Sequence, residues 1–236
     1  FSARSAAPKR KNPMLPKMWQ RVRDLPEGAA LPGRPPWSPS TRPVDATMLA
    51  LGDFLWKTGH RLGEITGTGG TVPDFLSRGC ISYRIAGVIL TDPSAEQLRM
   101  ATAGDAVFAT PPESKTDQFG LVHCPFPSVV LFDGTNTCAA ARIRDIELAR
   151  PCRGRDQRDV TPLFADAQGR AFSRRTLDRE LFKLMRALFG EAVAKTLSWH
   201  AVRIGLACAL LVCGCPDAII QLICRWASPE SLAVYR

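Results

Sequence analysis

In the stretch SWHAVRIG, His200 and Arg203 stand three residues apart, so on a helix they share one face, set among Val202, Ile204, Leu206 and Leu210. An imidazole beside a guanidinium can move a proton next to an anion, although a capping histidine and an ion-paired arginine are the ordinary reading of such a pair. Farther on, WASPESLAVYR carries Tyr235, one of only two tyrosines in the chain. Ser228 suits an N-cap, Pro229 the first helical position and Glu230 the positive helix end, which places Tyr235 about two turns into a short helix. With Leu232 three residues before it, half-buried packing is the ordinary reading of this ring taken alone. The chain's charge narrows the choice of anion. Its formal net charge is +9, and arginine dominates the basic residues, with 24 Arg against 7 Lys. The planar guanidinium fork suits phosphate oxygens, so a polyanionic partner and simple solubility are both open readings of the charge, and the site residues must decide.

Several elements must position these groups. Residues 1–43 form a distinct basic segment with nine prolines and nine Lys/Arg against two acidic residues. It reads as one short helix within KNPMLPKMWQRVRDLP followed by an extended linker, and APKRKNP reads equally as a nuclear-localisation patch or as a solvated tail or DNA-contacting arm. DATMLALGDFLWKTG has amphipathic-helix spacing, with Asp45 as a cap and Gly59 near its end, and opens a domain over 44–236. From Ile81 the pattern shifts to short apolar runs, ISYRIAGVIL, DAVFAT and GLVHCPF, which read as a small antiparallel sheet. From Thr137 helices return in TCAAARIRDIELAR, SRRTLDRELFKLMRALFG, SWHAVRIGLACALLVCG, PDAIIQLIC and the closing segment. The expected fold is mainly α with a small antiparallel β-sheet, α+β, the sheet following the first core helix.

Some classes fall away. The longest apolar stretch, IGLACALLVCGCPDAIIQLIC, is broken by Gly214 and Pro216 and reads as two buried helices, not a membrane span. The N-terminus lacks a signal peptide's apolar core, so an intracellular location is expected, nuclear in a eukaryote and otherwise cytoplasmic or nucleoid. Eight cysteines are scattered from Cys80 to Cys224 without a C-x-x-C pair, which suggests reduced, buried thiols and no metal site. His60 and His123 read as structural, and Arg153, Arg155, Arg158, Arg174 and Arg175 as surface residues.

H-A-V-R, then R-W at 225 and 226, then Tyr235 nine residues after Trp226, resembles the C-terminal signature of the tyrosine recombinases, the phage-integrase family. KTGHRLGEI is similar to that family's T-G-x-R-x-x-E segment. The resemblance implies the integrase catalytic-domain fold over roughly residues 45–236, with Arg61 as a first catalytic arginine and Glu64 as its supporting acid. It also implies a catalytic lysine on a β-hairpin, for which PPESKTDQFG offers Lys115. The R-I-G and R-W forms are closest in style to recombinases of eukaryotic mobile elements. Residues 1–43 are too short for the family's separate core-binding domain, and the chain stops one residue past Tyr235.

The implied activity is site-specific recombination or integration of double-stranded DNA by strand cleavage and rejoining. Arg61 and Arg203 would hold the non-bridging oxygens as phosphorus becomes five-coordinate, with the Trp226 indole N–H adding a bond. A phenol of pKa ~10 needs its proton removed, a task for His200, while Lys115 protonates the departing 5′ oxygen. The 3′-phosphotyrosyl bond then stores the energy of the broken strand, so no cofactor, ATP or metal is called for. A tetramer assembled only on DNA is the expected working form. Relaxation of supercoils in the manner of a type IB topoisomerase, and a non-catalytic DNA-binding relic of a mobile element, are the alternatives.

Overall fold

The computed structural model describes residues 12–66, 75–110, 127–226, 228 and 230–233. Lys115, Tyr235, His123, the expected strand GLVHCPF and most of the basic APKRKNP patch lie outside them. Pro43–Thr58 forms the central helix α2, preceded by α1 (Pro16–Arg23). Every residue of α2 from Thr47 to Leu55 is buried, as in a helix wrapped on most of its circumference. Pro43 at the first helical position begins α2 three residues earlier than a cap at Asp45 implies, so Arg42, and not Asp45, is the N-cap. Asp45 instead sits buried in the first turn, accepting bonds from Arg34, Arg42 (2.9 Å) and the Ser38 N–H (3.0 Å). Gly59 ends α2 with φ 63°, a left-handed conformation that favours glycine.

The sheet follows, with β1 (Ile81–Ile85), β2 (Val88–Leu90), β3 (Ala106–Ala109) and β4 (Ser128–Leu131) in the antiparallel order β2-β1-β3-β4. ISYRIAGVIL is thus a hairpin, turning at Ala86 and Gly87 with φ 49° and 81°. A short helix, α3 (Ala95–Arg99), with its Ser94–Gln97 capping box, lies between β2 and β3. β3 and β4 pair with Ala109 opposite Ser128, so the chain segment holding Lys115 is rooted on this pair. The remaining helices are α4 (Ala139–Ala149), α5 (Arg155–Val160), α6 (Arg174–Phe189), α7 (Glu191–Thr196), α8 (Trp199–Val212), α9 (Asp217–Ile223) and α10 (Glu230–Ala233). The molecule is therefore mainly helical with one four-stranded antiparallel sheet, as expected. No helix of the described residues is long and apolar enough to cross a membrane.

Three further details differ from expectation. Residues 12–43 are packed onto the core, not extended away from it: Met14, Trp19, Val22 and Trp37 are buried in the main apolar cluster. The Trp19 indole donates to Asp53 (2.7 Å), and its ring lies where any side chain at Gly52 would have to go. The Met14 N–H bonds the Ala201 carbonyl (2.8 Å), and the Met14 carbonyl crosses close over Gly205 of α8. Second, Arg158 is buried, not on the surface. It and Arg78 share the buried carboxylate of Glu147, with Arg158 Nη2 2.9 Å from Oε1, because that acid on α4 gives a desolvated guanidinium a charged partner. Third, Gly214 (φ 74°) does separate two helices, but only the first half of α8 is deeply buried. Val212 is 88% and Leu222 63% exposed.

Candidate active site

The residues singled out from the sequence gather where the C-terminal end of α2, the first turns of α8 and the end of α9 meet. Arg61 follows Gly59 and caps a short 3-10 turn, Leu62–Glu64. Its backbone N–H donates to Glu64 Oε2 (3.0 Å) and its Nη1 to Oε1 (3.3 Å), leaving its side chain 38% exposed at the mouth of the site. Glu64 is itself buried. Burial acts to raise its pKa, but hydrogen bonds from His60 and the Arg61 amide, with the charge of Arg225, outweigh it and hold the carboxyl at about 2.

Arg203 reaches inward from α8. Its Nη1 donates to the Gly59 carbonyl (2.9 Å) and its Nη2 to the Cys224 carbonyl, so one guanidinium ties α8 to the end of α2 and the end of α9. Its carbon lies 5.6 Å from the Trp226 ring centroid, a cation–π distance. The Nε–H has no acceptor among the described residues, and each η nitrogen carries a second N–H. Burial, reinforced by the nearby charge of Arg61, lowers the Arg203 pKa to about 10, so it remains a cation at neutral pH.

His200 lies in the first turn of α8. Desolvation lowers its pKa below 6.5, and the charges of Arg203, Arg61 and Arg174 push the same way, so the ring is neutral at neutral pH and able to accept a proton. Trp226 belongs to a second apolar cluster with Ala207, Ile220, Cys224 and Leu232. Leu232, only 1% exposed, anchors α10 there, three residues ahead of Tyr235. Ser228 accepts a bond from the Glu230 N–H (3.2 Å) at the start of that helix. The structure thus brings Arg61, His200, Arg203 and Trp226 together. Lys115 and Tyr235 are outside the described residues.

Two residues of this site were not given roles from the sequence. Arg225, next to Trp226, is buried with φ 51°, and its Nη1 lies 3.6 Å from Glu64 and 2.8 Å from His60 Nδ1. His60, read as structural, lies between Glu64, Arg225 and Ser128. Adjacent to Arg225 and Trp226, a cleft of about 730 Å³ opens between the end of α2, β4 and α9, lined by Lys57, Val129, Gln221 and Leu222. Among the described residues no group of His, Cys, Asp and Glu is arranged to hold a metal ion.

No protein-family model and no curated protein matches the chain. Solved structures do. It is similar to XerA recombinase, with a TM-score of 0.51, 15% identity, and 98% of this chain covering 61% of that one. It is also similar to the Tn1549 transposon integrase in complex with a circular intermediate DNA, with a TM-score of 0.52, 17% identity, and 100% of this chain covering 63% of that one. The same integrase in complex with transposon right end DNA gives a TM-score of 0.50 at 14% identity. At such identities the likeness is one of fold: the chain has the fold of a tyrosine-recombinase catalytic domain. It spans about three fifths of the length of the chains it matches.

Proposed function

We propose that this chain acts as the catalytic domain of a site-specific DNA recombinase that breaks and rejoins strands through a 3′-phosphotyrosyl intermediate. One observation carries the reading: Arg61, His200, Arg203 and Trp226, drawn from three separated stretches of sequence, meet in one cationic site. Such donors are worth most where charge grows in the transition state and water is excluded.

In this reading, Arg61 and Arg203 take the two non-bridging oxygens of the scissile phosphate, and Trp226 donates its indole N–H. Neutral His200 accepts the phenolic proton of Tyr235, whose oxygen bonds to phosphorus as the bond to the 5′ oxygen breaks. Lys115 gives that leaving oxygen its proton. Rejoining is the reverse, with a 5′ hydroxyl attacking the phosphotyrosyl bond, so no net oxidation, ATP or metal enters the balance. Duplex DNA as substrate is supported by the DNA complexes of the integrase of similar fold. Strand exchange requires a tetramer assembled on DNA, inside the cell.

The test is incubation with nicked duplexes from which the cleaved segment diffuses away. A covalent protein–DNA adduct, formed equally in the presence of a chelator, is expected. Absence of any adduct across a broad panel of nicked, palindromic duplexes would reduce the chain to a DNA-binding protein without catalysis. Relaxation of supercoiled plasmid with no recombinant product would instead indicate a topoisomerase.

A further inference from the structure

We propose that His60 is a positioning residue that fastens together the three chain segments bearing the catalytic groups. The inference deepens the recombinase reading and rests on it for its consequence, though not for its geometry. His60 is 2% exposed and stacks on Phe54, with centroids 5.4 Å apart and the rings 5° from parallel. Its Nδ1 lies 3.1 Å from Glu64 Oε2 and 2.8 Å from Arg225 Nη1, and its Nε2 lies 3.1 Å from Ser128 Oγ.

Each contact leads to a different part of the machinery. Glu64 closes the turn that presents Arg61. Arg225 precedes Trp226 on the path to α10 and Tyr235. Ser128 pairs with Ala109 at the root of the segment carrying Lys115. A neutral imidazole can donate through Nδ1 to Glu64 or accept there from Arg225. In either tautomer the Ser128 hydroxyl, which both donates and accepts, completes the other nitrogen. Phe54 fixes the plane of the ring, so the three partners are held in one fixed relation.

Arg225 shows why such a fastening is needed. Its φ of 51° is a conformation that residues with a Cβ adopt rarely unless the surroundings hold them. Its side chain is held against His60 and Glu64, and its backbone continues the turn at the end of α9, with the Arg225 N–H bonded to the Leu222 carbonyl (3.0 Å) and the Trp226 N–H to that of Gln221 (2.9 Å). An aliphatic side chain at position 60 would cover Phe54 equally well but could bridge none of these groups.

The test compares His60→Leu, which keeps the apolar packing, with His60→Asn, whose amide can reach Glu64, and with Ser128→Ala. Three quantities are read: the rate of adduct formation at saturating nicked duplex, duplex affinity, and amide hydrogen exchange at Arg225 and Trp226. For His60→Leu, adduct formation should slow about tenfold or more, as misplaced catalytic groups predict, while affinity stays within about twofold of wild type. Exchange at both amides should accelerate about tenfold, a loss of roughly 1.4 kcal/mol of local protection. His60→Asn should recover part of both losses, and Ser128→Ala should slow the reaction with smaller effects on exchange. A His60→Leu protein with wild-type rate and exchange overturns the proposal. So does slower adduct formation with unchanged exchange, or faster exchange with an unchanged rate. If His60→Leu does not fold, the same comparison is made on His60→Asn and Ser128→Ala. If wild type forms no adduct, the recombinase reading fails by itself, and unchanged exchange in the variants then overturns the fastening role while faster exchange sustains it.

Discussion

Replacing Arg203 with alanine should destabilise the protein, apart from any loss of the catalytic contact proposed for it, and the size of the effect follows from its partners. The Gly59 and Cys224 carbonyls each lose their guanidinium donor, at about 1–3 kcal/mol per buried acceptor left unpaired, or roughly 4 kcal/mol for the two. Loss of the buried side chain adds a cavity worth about 2 kcal/mol. Against this, a cation held at a pKa of about 10 instead of 12.5 is relieved, returning about 3 kcal/mol. Unpaired carbonyls and cavity outweigh that relief by about 3 kcal/mol, which for a domain of this size lowers the melting temperature by about 6–12 °C. Thermal denaturation followed by circular dichroism reads it directly. Arg203→Met fills the space and should lose about 1 kcal/mol, while Arg203→Lys keeps the charge but can serve only one carbonyl. An Arg203→Ala protein melting within about 2 °C of wild type would refute the tie between α8, α2 and α9. Adduct formation by the variant must therefore be measured well below its own melting temperature, where a loss of a hundredfold or more is expected.

Acid should destabilise the protein in two stages. His60 is kept neutral by burial, with a pKa below 6.5, so the unfolded chain takes up its proton first and stability falls as pH drops below 6.5 through the lowered value; His60→Leu should shrink this stage and leave the part that the similarly lowered His200 contributes. Glu64, held at about 2 instead of 4.5, contributes stability that is fully present above 4.5, worth about 3 kcal/mol, and is lost as pH falls from there toward 2, measurable as melting temperature against pH. Glu147→Gln leaves Arg78 and Arg158 buried without their shared carboxylate and should cost about 3–5 kcal/mol in a denaturant titration, a loss below 1 kcal/mol contradicting the buried pairing. Affinity for duplex DNA should fall log-linearly with salt, with a slope near −0.9 per phosphate neutralised, and a flat titration would remove the electrostatic basis of the interface.

Most of the helices were legible because their apolar spacing is regular and their ends carry strong signals. Gly59 stops α2, Ser173 caps α6, and Gly214 with Pro216 parts α8 from α9. What escaped depends on partners distant in sequence. The proline-rich composition of residues 12–43 suggests a linker, yet Trp19 finds Asp53 on α2, and Trp37 is 1% exposed. Arg158 resembles its surface neighbours until Glu147 and Arg78, from two other elements, surround it. α9 has the composition of a buried helix, but only Ile220 is fully enclosed. At the site itself, His200 and Arg203 could be picked out by type and spacing, and Arg61, Glu64 and Trp226 through the resemblance to the tyrosine recombinases. Arg225 and His60 could not, since their contact spans 165 positions, and the one local hint was an arginine beside Trp226.

The central claim is that Tyr235 becomes bonded to DNA, and the chain lends itself to a direct measurement. Cleavage after Arg225 and Arg236 by trypsin releases WASPESLAVYR, a peptide holding Tyr235 and no other tyrosine. After reaction with a nicked duplex and nuclease trimming, mass spectrometry should find this peptide carrying a nucleotide through its tyrosine, and Tyr235→Phe should abolish the species while leaving duplex binding intact. The other tyrosine, Tyr83, is fully buried in β1 with its phenol pushed well above its ordinary pKa by desolvation, which leaves it unable to reach or attack a phosphate. DNA recovered on any peptide other than residues 226–236, or an adduct that persists in Tyr235→Phe, would contradict the account.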